Sequence, residues 1–420
     1  MHVLLPLFVL GSIGTIAILS CVGTLGPAHP NRAWLRRTLL LAFALRLGAA
    51  TMFAFVEETR VFHEDAEGTE NRGVYLATLW REGESTEYLT WPGTKNRGYY
   101  YVCGAECFVF GLDKCVPSFV NAILAVLTLF MVHQIACRHF HPVIARRATW
   151  LLAITPSMIL WSATAIKDTL VTFLIVVALG SCMRLRERLS LGAVLGTFLL
   201  PLAVYPVRFY IVYFLIAAIF GSLMITKRLT SVGSTARNLL IGGAVVATLA
   251  LVGVNGQAAD DSSYFTLSRA SSYRMGMAST AVSGFAQDVD ISTPSKAIVF
   301  FPYGLSVLLF GPFPWQFTSF RSLLTLPEMI FWWSRFPALV RGTRMLIRRR
   351  LVEMAPLLVF SFLLSAAYSL IHGNVGSGYR QRAQIFVFLF IFTAVGEYMK
   401  TCRMRGIDEG LLLRGQSPPS

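Results

Sequence analysis

The sequence predicts an all-α polytopic membrane protein of about eleven transmembrane helices, and three observations predict it. The 420-residue chain is 55% hydrophobic and only 14% charged, with a mean hydropathy of +0.60. So few charges cannot cover a soluble domain of that size. Apolar runs of roughly 17–25 residues, the length that crosses ~30 Å of hydrocarbon, recur from end to end. Basic clusters fall in alternate connections, and the loops between them are close to neutral, which is the positive-inside pattern.

The elements follow in order. The run 3–25 lacks a basic start and a small-x-small cleavage site, so it reads as a retained span, not a cleaved signal. Arg32, Arg36 and Arg37 then mark a cytoplasmic turn before the span 38–56. A long outward segment, 57–114, follows. The span 116–137 returns to the basic residues Arg138, Arg146 and Arg147. The runs 148–163 and 169–183 are joined by a tight outward turn at Lys167 and Asp168, and Arg184, Arg186 and Arg188 follow inside. The runs 189–205 and 209–226 meet at Pro206 and Arg208 outside, and Lys227, Arg228 and Arg237 lie inside before 238–254.

A second outward segment, 255–321, begins polar and ends "SKAIVFFPYGLSVLLFGPFPWQFTSF". A full crossing there would break the alternation of basic loops. With Pro302, Pro312 and Pro314 it reads as interfacial or re-entrant, with Trp315 at the headgroup level. The last spans are 323–340, 355–371 and 385–399, separated by a cytoplasmic cluster from Arg341 to Arg350 and an outward turn "YSLIHGNVGSGYRQRAQIF". The organisation expected is therefore an N-terminal span and basic loop (1–37), a transmembrane domain (38–400) and a cytoplasmic tail (401–420), with the N-terminus outside. The net charge of +15 reports topology and does not argue for nucleic acid. Cys103, Cys107 and Cys115 share the first outward loop, and their x3 and x7 spacings fit no zinc pattern. A disulfide and partly buried thiols both remain open for them.

The chemistry gathers on the outward side. "FHEDAEGTENRGVY" places Glu64, Asp65, Glu67 and Glu70 just past an apolar run. A solvated loop start explains any one of them. Partial desolvation at the membrane boundary would, however, raise a carboxylate toward useful base strength. Surplus carboxylates could also hold a divalent cation, but no calcium-loop spacing is present. Lys167, Arg208, Arg380 and Arg382 stand at other outward turns, each with a bland reading as a snorkelling charge. Together they suit a phosphate, Arg through its planar donor fork. His372 and the run from Gly373 to Gly378 accompany them, and the glycines would let backbone amides approach an anion. Arg46, in mid-span, is expected to be a structural partner because it lies too deep for a surface substrate.

These stretches resemble the GT-C superfamily of polyprenyl-phosphate-dependent glycosyltransferases, in particular bacterial protein mannosyltransferases and lipid A aminoarabinose transferases. "RRTLLLAFALRLGAA" resembles the first core span, and "FHEDAEGTENRGVYLATLW" the first periplasmic loop with its catalytic acid and following Tyr75, which implies that 57–114 is a periplasmic first loop containing amphipathic helices. "GYYYVCGAECFVFGLDKCVPSFVNAIL", "TPSMILWSATAIKDTLVTFL" and "GNVGSGYRQRAQ" resemble later juxtamembrane elements. The resemblance implies an inverting transfer in which Asp65 deprotonates an acceptor hydroxyl and polyprenyl phosphate leaves against Lys167, Arg208, Arg380 and Arg382. The family's adjacent Asp-Glu order is reversed here, so the base lies with Glu64 or Asp65. Tyr75, His372 and Tyr379 are further candidates for substrate contact. The resemblance implies no cofactor and no metal. It implies a polyprenyl-linked sugar donor, a glycan, lipid or protein acceptor, and a place in cell-envelope assembly at the bacterial inner (plasma) membrane. Two alternatives compete with it. An O-antigen polymerase or ligase would lean on Arg269, Arg274 and His372, and a lipid-linked-sugar transporter would prefer broken, polar helices at the midplane.

Overall fold

The computed structural model describes residues 3–56, 64–84, 97–225, 266–317 and 320–405, with the side chains of residues 64, 65, 223, 320 and 321 outside the description. All regular structure among these residues is helical, apart from one isolated bridge between Gly284 and Asn374. The chain divides into two compact units. The first comprises Met1–Val177, Ala203–Phe209 and Glu397–Ser420, and the second Ala178–Leu202 and Tyr210–Gly396.

Six helices are long and apolar enough to cross a membrane, which makes this a multi-pass membrane protein: α1 (Leu4–Gly23), α2 (Arg32–Phe55), α5 (Val116–His139), α8 (Lys167–Glu187), α14 (Leu351–Ile371) and α16 (Ala383–Met404). A bent pair, α6 (Pro142–Ile154) and α7 (Pro156–Ser162), turning by 62°, supplies a seventh if taken as one span. These account for seven of the eleven expected spans. Of the other four, 238–254 lies outside the described residues. The runs 189–205 and 209–226 form shorter helices, α9 (Leu191–Val204) and α10 (Phe209–Met224). The run 323–340 belongs to α13 (Leu326–Arg349), which extends into its arginines and is too charged to pass as a span. Composition sees apolar content; it does not see where a helix stops. The segment 57–114 holds α3 (Glu64–Glu82) and α4 (Gly98–Phe110). The polar start of the second segment gives α11 (Leu267–Thr280), and its apolar stretch gives α12 (Pro294–Phe310).

In the first unit, the α6–α7 break follows from Pro156. Proline has no N–H for the Leu152 carbonyl, and its ring clashes with that group. Arg46 of α2 supplies the missing donors. Its guanidinium is fully buried and donates to Leu152 O (3.4 Å), Ala153 O (3.3 Å) and Ala42 O (3.1 Å). A charge in mid-span thus closes the polar gap that a proline opens. Near the C-terminal end of α16, Tyr398 stacks on His141 at 5.3 Å and Arg147 donates to Thr401 (3.2 Å).

The second unit is set by close helix crossings. On α13 and α16 the backbones touch: a Cβ at Gly342 would stand 1.8 Å from Phe392 O, and one at Gly396 would stand 1.9 Å from Ala338 O. Only glycine permits that approach, the way small residues let apolar helices pack without a hydrophobic drive between them. Trp332 on α13 is buried there and packs on Phe386 (4.5 Å between ring centres).

Candidate functional site

The first unit brings several predicted residues to one neighbourhood. α3 begins at Glu64 and Asp65. The next residue, Ala66, is fully buried in a cluster with Ala165 and Ile166, against which Trp161 packs. Ala165 and Ile166 directly precede Lys167 and Asp168, the first two residues of α8. The helical turn that carries the predicted base is therefore seated on the turn that carries a predicted cation. The 163–166 turn is itself pinned by Asn121 of α5, which donates to Thr164 O (2.7 Å), Ile166 O (3.0 Å) and the Tyr99 hydroxyl (2.9 Å). Burial keeps the Tyr99 phenol well above its usual range, so it stays a neutral partner.

Arg208 reaches the same unit through a second turn. Gly98, at the start of α4, donates its N–H to Pro206 O at 2.9 Å. A Cβ at Gly98 would lie 2.7 Å from Pro206 Cβ, so the approach needs glycine. Two residues on, Arg208 forms an ion pair with Asp168 at 2.9 Å, both side chains almost fully buried. Asp168 also lies in the first turn of α8, where the helix dipole favours an acid. Lys167 is half-buried and Tyr75 exposed.

Sequence reasoning passed over Asn121 as a site residue, though a lone Asn in an apolar span is a signal of a required partner. It also passed over Glu106. That carboxylate sits on α4 among apolar neighbours, its Oε2 is buried without a hydrogen-bond partner, and burial pushes its pKa up to about 8. The signal available was a single Glu inside an otherwise apolar 13-residue helix. Cys103 and Cys107 flank it. All seven cysteines are free thiols, and burial raises the pKa of both, Cys107 to about 12.

In the second unit, Arg382 is buried, donates to Gly311 O (2.6 Å) and lies 3.6 Å from Glu328, with its guanidinium over the Tyr379 ring at 4.1 Å. A phosphate there would have to displace a carbonyl already held. Arg380 is half-buried on the short helix α15 (Val375–Gln381), and Tyr379 beside it is buried. His372 is buried, its ring 4.8 Å from Tyr368, whose hydroxyl donates to Gln384 (2.8 Å). The glycine run does not offer its amides to an anion. Gly376 N–H donates to Asn374 Oδ1 (2.8 Å), Val375 N–H to Ser283 O (3.0 Å) and Gly378 N–H to Asn374 O (3.1 Å). An Asn cap takes what a glycine-rich sequence suggests is vacant. Arg274, named for the polymerase alternative, is fully buried and donates to Val289 O (2.9 Å), Ala286 O (2.8 Å) and Phe285 O (3.2 Å).

Among the described residues, no group of three or more His, Cys, Asp or Glu side chains is arranged to hold a metal. No protein-family model matches the chain, and no curated protein does. Solved structures with some likeness are archaeal oligosaccharyltransferases. The Archaeoglobus fulgidus enzyme in the apo form is 13% identical with a TM-score of 0.46, over 92% of this chain and 53% of that one. AglB from the same organism, in complex with an inhibitory peptide and a dolichol-phosphate, gives 13% identity and a TM-score of 0.46, over 92% and 52%. The chain spans about half the length of these proteins.

Proposed function

We propose that the chain is an inverting membrane glycosyltransferase of GT-C type, moving a sugar from a polyprenyl-phosphate donor to a hydroxyl acceptor. Asp65, or Glu64 beside it, takes the acceptor's proton. The acceptor oxygen attacks the anomeric carbon from the face opposite the leaving group. The bond from that carbon to the phosphate oxygen breaks, and its electron pair departs with the lipid phosphate. Lys167 stabilises the charge that develops there. Arg208 acts through its pairing with Asp168, which fixes the turn beside Lys167. Arg382 is better suited to hold the Gly311 carbonyl than a substrate. Tyr75, His372 and Tyr379 remain proposed substrate contacts.

The observation that carries this reading is the seat of Ala66 on Ala165 and Ile166, which puts the acidic start of α3 beside the Lys167–Asp168 turn. An acidic helix start packed on a cation-bearing turn at the end of a membrane-crossing helix suits proton abstraction by one and phosphate release at the other. The bonding of Arg274 to three carbonyls disfavours the polymerase reading, which needs that guanidinium for substrate.

The test is incubation of the purified full-length protein with a panel of polyprenyl-phosphate sugars and hydroxyl acceptors, following release of polyprenyl phosphate. Acceptor-dependent release supports the assignment. Transport of intact donor into vesicles without release would replace it with a transporter.

A further inference from the structure

We propose that Asn121 is a positioning residue for the candidate site: its side-chain amide fixes the 163–166 turn and so sets where Lys167, Asp168 and the first turn of α3 stand. The catalytic consequence rests on the function proposed above; the structural link does not.

The argument starts from cost. Asn121 is 1% exposed and lies in the first half of a membrane-crossing helix, where Leu or Met would fill the space without a polar group. A buried amide left without partners costs about 1–3 kcal/mol. Here its two hydrogens are shared among three acceptors on two other segments, α4 and the 163–166 turn. That turn is short of donors of its own, and the second lone pairs of its carbonyls are open to a partner from outside. Ala163, Thr164, Ala165 and Ile166 are all buried, so water cannot serve their carbonyls, and the turn's own contribution is one bond from Ile166 N–H to Thr164 O (2.8 Å).

The turn passes its position on in two directions. Forward in sequence it leads straight into Lys167 and the Asp168 that pairs with Arg208. Through its side chains it forms the floor under Ala66, the neighbour of Asp65. The bonds of Asn121 go to two carbonyls and the Tyr99 hydroxyl, and the placement of Lys167 and of the first turn of α3 runs through the carbonyls it holds. A misplacement of about 1 Å in such an arrangement can cost on the order of 100-fold in rate.

Two variants in the full-length protein test this. Hydrogen exchange read by mass spectrometry should rise in Asn121→Leu both across 163–168 and across 64–72, with α13 unchanged. In Asn121→Asp the introduced carboxyl donates one hydrogen bond while protonated and none once ionised. Turnover per folded molecule should therefore fall as pH rises, along a limb the wild type lacks, while Asn121→Leu runs at least about tenfold below wild type throughout. Unchanged exchange at 64–72, or an Asn121→Asp profile parallel to wild type at equal folded fraction, would overturn the inference. Should the wild type release no lipid phosphate from any donor, the glycosyltransferase reading fails, and the exchange result alone decides the role of Asn121.

Discussion

Arg208 in the first unit and Arg274 in the second are both fully buried, yet they hold different things. Arg208 faces the Asp168 carboxylate at the mouth of a helix, one residue from the half-buried Lys167. Arg274 grips three carbonyls of the 285–289 segment and lies over the Phe300 ring at 4.3 Å. Arg382 combines the two uses, holding Gly311 O at 2.6 Å with the Glu328 carboxylate 3.6 Å away. Arg46 in the first unit belongs with these carbonyl holders. An arginine in an apolar protein can therefore be a brace for broken backbone or a member of a charged group beside a reactive turn. Partners separate the two uses; burial does not.

The comparison is broken or sharpened by substitution. The largest effect is expected at Asp65. Asp65→Asn should lower turnover by about 100- to 10,000-fold, the range a general base supplies, while expression and membrane insertion persist. Near-normal turnover would pass the role to Glu64, and silence of both variants would remove the acid from the chemistry. Next comes the buried pair. Asp168→Ala leaves Arg208 buried opposite a neutral side chain and should cost about 3–5 kcal/mol, read as a fall in thermal midpoint in detergent. A pair lying at a wet surface would lose under about 1 kcal/mol. The braces should behave otherwise. Arg274→Leu should lower stability by about 1.5–3 kcal/mol for the charged hydrogen bonds lost, with turnover falling only in step with folded fraction. Lys167→Ala should lower turnover at an unchanged midpoint.

The effect at Glu106 shows only as pH rises, and its sign follows from proton binding. Its pKa of about 8 stands above the usual 4.5, so the native state keeps a proton that the unfolded chain releases. Stability then falls as pH rises from about 4.5 to about 8 and is flat beyond. Glu106→Gln removes that loss. Its thermal midpoint should match wild type near pH 4 and exceed it by about 2 °C or more at pH 9. Equal midpoints at both pH values would show the carboxyl to be solvated.

Much of the fold was legible because hydropathy and charge alternation report membrane spans directly: six of the expected runs became full-length helices and 148–163 a bent pair. The bend was foreshadowed by Pro156, but a window average does not register a single missing N–H. The helix from Leu326 to Arg349 ran past its expected end because Arg341, Arg344, Arg348 and Arg349 are good helix formers, whatever their cost in lipid. At the candidate site, the residue types were legible and their partners were not. Lys167, Arg208 and Arg382 look alike in sequence as cations at turns. Only the fold shows that Arg208 pairs with an acid, while Arg382 holds a carbonyl with an acid 3.6 Å away. The Gly373–Gly378 run misled for the same reason, since Asn374 and Ser283 claim its amides from within the chain.

The most direct test of the central claim is a double-mutant cycle on turnover, with Asp65→Asn, Lys167→Ala and the two combined. If the acid and the cation serve one reaction centre, the losses will not multiply, and the double variant will be little slower than Asp65→Asn alone. Losses that multiply in full would mean that the two residues act independently, and the seat of α3 on the 163–166 turn would then have no catalytic meaning.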